Sequence, residues 1–165
     1  MWRSWSALEV SLAIGIGGSA LAVAVPTFLQ NLSASKLSEP IGGLDRMVTS
    51  AIAYAEGRPD EIAFPPPAHL TPPEVPRGER LADPPEAWDH LTWRSLGFRF
   101  DHAHAFAFQW DSTYDPATRT MRFVATAHGD LDGDGIVSTF EVRGEHRPGE
   151  PARVLPGMFV DREVE

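Results

Sequence analysis

The chain has 165 residues and a formal charge of −9, with 14 basic residues scattered along it and no cysteine. That length suits one modest core. The charge argues against nucleic acid as a partner, because phosphate binding draws on clustered Lys and Arg, and the lack of cysteine removes disulfides, thiolate metal sites and thiol nucleophiles.

Residues Val10–Leu29, "VSLAIGIGGSALAVAVPTFL", are twenty residues without a charge. At about 1.5 Å per residue a helix of that length spans roughly the 30 Å of a bilayer core. Glu9 stands at its N-terminal edge and only Arg3 precedes it on the basic side. A secretory signal peptide is one reading, with "ALAVAV" offering a small-residue cleavage site near Ala24. A membrane helix that continues into a soluble head is the other. It is favoured by the length of the run and by Ile41, Leu44, Met47, Val48, Ala51, Ile52 and Ala55, which recur at three- and four-residue steps as an amphipathic helix requires. Pro40, Gly42 and Gly43 predict a kink or break in that helix, with Ser38 as the cap of its second part.

Nine of the fifteen prolines fall between Gly57 and Glu86, which predicts an irregular passage. "PPEAWDHLTWRSLGF" reads as a short helix ending near Gly97. From Phe98 to Trp110 the even positions are all aromatic or histidine, which predicts a strand with a break near Asp101. "DPAT" at Asp115–Thr118 fits a type I turn, so Met121–Ala127 should return antiparallel, and Ile136–Arg143 reads as a third strand.

Between those last two strands lies "DLDGDGIVSTFE", Asp130–Glu141, acidic at its first, third, fifth and twelfth positions with glycine at the sixth. That is the spacing of an EF-hand calcium loop without its flanking helices. The template assigns Asp130, Asp132 and Asp134 as side-chain ligands, Ile136 through its carbonyl, Ser138 directly or through water, and Glu141 as a bidentate carboxylate. Hard oxygen donors favour Ca2+ over zinc or copper. A solvated acidic turn is the plainer alternative, and Glu141, set in a strand, is the least secure ligand. His102 and His104 share a predicted strand face, with His128 as a possible third member, but histidines in an aromatic stripe are more often packing residues than zinc ligands. No nucleophile elbow, P-loop, HExxH or dinucleotide fingerprint occurs, which points away from an enzyme.

"SALEVSLAIGIGGSALAVAVPTFLQ" resembles the N-terminus of type IV pilins and the pseudopilins of type II secretion, in which a glutamate precedes a membrane helix with proline seventeen residues later; Glu9 and Pro26 have that spacing. "SKLSE" at Ser35–Glu39, "PEAWDHLTWRSLGF" at Pro85–Phe98, "GDLDGDGIVSTF" at Gly129–Phe140 and the closing "PGMFVDREVE" resemble segments of bacterial pilin-like proteins. The resemblance implies an α+β pilin fold, in which a long hydrophobic N-terminal helix, kinked near Pro40, packs on a small antiparallel sheet. It divides the chain into a leader (1–4), a membrane and filament-core helix (5–29), an amphipathic continuation (30–56), a proline-rich segment (57–86) and a β head (87–165). It also implies cleavage and methylation at Ser4–Trp5 by a prepilin peptidase, with Ser4 where the family usually has glycine and Trp5 where it has phenylalanine. The implied partners are other pilin or pseudopilin subunits and an inner-membrane assembly machinery, and the implied location is the bacterial inner membrane, then a filament outside it. Glu9 would pair with the new N-terminus of a neighbouring subunit, because a carboxylate beside hydrocarbon needs a partner. The rival class is a monomeric, membrane-tethered, calcium-dependent periplasmic binding module.

Overall fold

A computed structural model describes residues 37–162. They open on helix α1, residues 37–55. Its buried positions, Leu44, Met47, Val48, Ala51 and Ala55, follow the helical period and join one hydrophobic cluster with the aromatics of the sheet. The sheet strands are β1 (Ala68–Thr71), β2 (Phe106–Asp115), β3 (Thr120–Gly129), β4 (Ser138–His146), β5 (Arg153–Val154) and β6 (Phe159–Asp161). Their order is β1-β2-β3-β4-β5, all antiparallel, with β6 pairing β4 farther along the edge that β5 also occupies.

One sheet face carries Phe106, Phe108, Trp110, Met121, Phe123, Ala125, Phe140 and Val142 into the core. Strand alternation puts Gln109, Arg122, Thr126, Glu141 and Arg143 on the other. The core is held by aromatic pairs, with Trp110 stacked on Phe123 at 4.7 Å and Phe64 edge-on to Phe123 at 4.8 Å.

The structure corrects the fold expected from the sequence. The described chain is dominated by a six-stranded antiparallel sheet and is not a helix-packed pilin fold. Among the described residues no helix is long and apolar enough to cross a membrane. The Val10–Leu29 run, with Ser4, Trp5, Glu9 and Pro26, lies outside the described residues. Nor does α1 break near Pro40: residues 37–55 are helical throughout, so Ser38 is inside the helix and not its cap. The glycines there serve packing. A Cβ on Gly43 would sit 2.5 Å from the ring of Phe108, so the residue is small because the sheet approaches at that point.

Two local expectations also change, and a third gains detail. The predicted strand from Phe98 begins only at Phe106. Before it, His104 exchanges two backbone hydrogen bonds with Leu81, each 2.9 Å, and the Glu39 carboxylate accepts from the N–H groups of Ala105 (2.7 Å) and Phe106 (3.0 Å). These contacts take the donors a longer strand would have used. The proline-rich passage is largely irregular, in keeping with its composition, yet it also supplies β1 and a strap, residues 77–83, running beside the sheet. Its prolines lack donors but offer carbonyls: Pro65 O accepts from Trp110 Nε1 (3.1 Å) and Ser112 Oγ (2.7 Å). The "PPEAW" helix divides into a 3₁₀ turn at Pro85–Trp88 and helix α2, Leu91–Leu96, whose N-terminus is capped by the His90 ring accepting from Thr92 N.

Candidate metal centre

Strand β3 ends at Gly129 and β4 resumes at Ser138, so the acidic turn is the connection of a long hairpin. Within it the aspartates organise the backbone before any ligand is considered. Asp130, only 1% exposed, accepts from Gly133 N through Oδ1 (2.9 Å) and from Gly135 N through Oδ2 (3.1 Å). Asp132 Oδ1 accepts from Asp134 N (3.2 Å), and Asp134 Oδ1 accepts from Ile136 N (2.7 Å). Such Asx turns fold the loop inward on its own carboxylates. Gly135 has φ of 91°, in the left-handed region where a side chain would be strained, which explains glycine at the sixth position.

The result is a convergent donor set. One carboxylate oxygen from each of Asp130, Asp132 and Asp134 lies within 4.8 Å of the others, the one such group of three acidic or histidine side chains among the described residues. Asp132 and Asp134 are exposed while Asp130 is sealed beneath them. Three anionic groups in one turn repel each other, and a hard cation between them would remove that repulsion. Three carboxylates are fewer ligands than Ca2+ usually takes, leaving room for carbonyls and water.

Glu141 is not in this group. It sits three residues into β4, opposite Thr126 and Phe159, on the face away from the core, and its carboxylate is ion-paired with Arg143 Nε. Ser138 is buried at the first position of β4, and Ile136 is exposed in the turn. The structure therefore brings together the first, third and fifth positions of the loop and leaves the twelfth apart.

The histidines do not converge. His104 is fully buried, with Nδ1 2.7 Å from Phe106 O and Nε2 2.9 Å from Asp83 Oδ2. His102 is exposed beside Phe100, and His128 shares a 3.0 Å hydrogen bond between Nδ1 and Thr139 Oγ1. Burial holds His128 below the ordinary imidazole range, partly offset by the charge of Glu141.

Sequence reasoning misses the support beneath the turn. Gly78 N donates to Asp130 O (2.8 Å), and the Cα of Gly78 would lie 3.5 Å from a Cβ on Gly133, so the strap backs the acidic loop. Fifty-two positions separate Gly78 from Asp130, and no local pattern announces the contact.

A scan against protein-family models, a search of curated proteins and a search of solved structures each found no match to this chain.

Proposed function

We propose that this chain is a structural subunit of a type IV pilus or pseudopilus-like filament, with a calcium-stabilised head. The observation that carries the head's part is the convergence of Asp130, Asp132 and Asp134 at the end of the β3–β4 hairpin. A cation there would pin the turn to the strap through Asp130, whose side chain and carbonyl are both engaged. A loop site with a dissociation constant near 10⁻⁴ M, typical of weak extracellular calcium modules, is mostly filled at about millimolar calcium.

The assembly part rests on the sequence: twenty uncharged residues, Glu9 before them and Pro26 seventeen positions on. The corrected head architecture does not bear on that segment. Before assembly the segment holds the chain in the inner membrane; afterwards it packs in the filament core, with Glu9 setting register against the N-terminus of a neighbour. The partners are further subunits, the prepilin peptidase and the assembly machinery.

Co-expression with a prepilin peptidase, followed by N-terminal sequencing, tests this reading. A chain beginning at Trp5 is the expected product; one still beginning at Met1 sinks it and leaves the tethered, monomeric binding module that Ser4 at the junction favours. Independently, calcium should raise the thermal midpoint of the full chain in detergent, and Asp132→Ala should abolish the rise. An unchanged midpoint for the unsubstituted chain removes calcium from the account.

A further inference from the structure

Beside helix α1, an open surface groove, referred to below as the Arg46 cavity, of about 330 Å³ is lined by Ser38, Glu39, Arg46, Arg80, Phe100 and His102 among others. Its chemistry is set by Arg46. The guanidinium carbon of Arg46 lies 5.0 Å from the centroid of Phe98 and 4.9 Å from that of Phe100, so two rings hold the cation in place. Arg46 is exposed, and among the described residues its guanidinium forms no ion pair and no acceptor takes its side-chain N–H donors. A guanidinium held by stacking, with no acceptor among the described residues, is prepared for an oxyanion, because little side-chain freedom is left to lose on binding.

The rest of the lining favours the same ligand. Among the described residues Glu39 is the one carboxylate lining that cavity, and it is already engaged by Arg80, by Ala105 N and by Phe106 N. Arg80 also donates through Nε to Ala103 O (3.2 Å), which anchors it at the rim. Asp45 faces the adjoining cavity of about 270 Å³, which shares Arg46 as a wall. With Glu39 and Arg80 offsetting one another, Arg46 is the remaining fixed charge among the described lining residues, with Asp45 on its other side.

We infer that the Arg46 cavity binds a phosphate oxyanion, supplied by the headgroup of an anionic phospholipid. The source rests on the membrane reading above: Ser38, the first residue of the cavity, follows Leu29, the last of the uncharged run, by nine positions. An anionic headgroup at the bilayer surface would dock the head through Arg46 before the subunit is extracted, adding attraction to anionic lipid that an acidic protein otherwise lacks.

The test uses the full chain in a nonionic detergent, with arginine side-chain Nε–Hε resonances as the readout. The probes are inorganic phosphate, dihexanoylphosphatidylglycerol below its micelle concentration, and dihexanoylphosphatidylcholine. Saturable shifts with phosphatidylglycerol are expected, with phosphate at least tenfold weaker at the same residues and phosphatidylcholine weaker still. Arg46→Gln should weaken binding at least tenfold, Arg46→Lys by an intermediate factor because the planar fork is lost, and Arg122→Gln, on the opposite sheet face, not at all. Thermal midpoints of the variants confirm that they fold. No saturable response, or Arg46→Gln binding as tightly as the unsubstituted chain, overturns the site; phosphate binding without phosphatidylglycerol binding overturns the lipid source. Peptidase cleavage is measured separately, so an unprocessed chain that still titrates through Arg46 refutes the filament reading and leaves the site standing.

Discussion

At Gly43 the helix and sheet come close enough that a methyl group has no place, because the ring of Phe108 is fully buried and cannot swing away. Gly43→Ala should therefore destabilise the described domain by about 1–3 kcal/mol through overpacking, against the usual helix-propensity gain of about 1 kcal/mol for the same change. Denaturant midpoints of Gly43→Ala and of Gly42→Ala, which meets nothing within 4 Å, separate the two effects. Gly42→Ala should be neutral or stabilising. The same contrast explains how the pair misleads in the sequence: glycines in a helical pattern suggest a break, whereas Gly43 is there for the neighbour it touches. Glu141 gives the complementary lesson, since its spacing from Asp130 fits a ligand while the alternation of β4 turns it to the far face beside Arg143.

At the scale of elements, the proline-rich segment contributes more than its composition predicts. Trp93 Nε1 donates to Thr71 Oγ1 (2.9 Å), joining α2 to β1 across buried surroundings. Thr71→Val keeps the shape and leaves the indole N–H unsatisfied, which should cost about 1–3 kcal/mol in a urea titration; Thr71→Ser, which keeps the hydroxyl, should lose distinctly less. The hairpin elements were legible because their signals are local. The Asp115–Thr118 turn is closed by Asp115 accepting from Ala117 N (3.0 Å) and Thr118 Oγ1 (2.7 Å), and the Thr118 hydrogen bond is the main reason the Asp115 pKa is lowered. The start of β2 was not legible, because Glu39, Leu81 and Asp83 decide it from at least 21 positions away.

For the whole molecule, acid sensitivity follows from Glu145, buried in β4 with Arg147 (2.9 Å) and Arg153 (2.7 Å). The hydrogen bond from Arg153, then the charge of Arg147, holds its carboxyl below the ordinary 4.5 against an opposing effect of burial. A depressed native pKa contributes stability in full above the unfolded value and loses it as pH falls through the native one. The thermal midpoint of Glu145→Gln should thus lie below that of the unsubstituted chain at about pH 6 and approach it by about pH 3; parallel curves would remove Glu145 from the acid response. The sequence by itself determined the acidic turn, the hairpin around it, the apolar face of α1 and the uncharged run from Val10, because each is written in neighbouring residues as a spacing, a turn dipeptide or a period. Only the tertiary structure decided that the described sheet has six strands, that the strap underpins Asp130, that Glu141 stands apart from the three aspartates and that Arg46 lies over two rings. Those facts depend on contacts between residues far apart in the chain, which packing selects and local pattern does not encode.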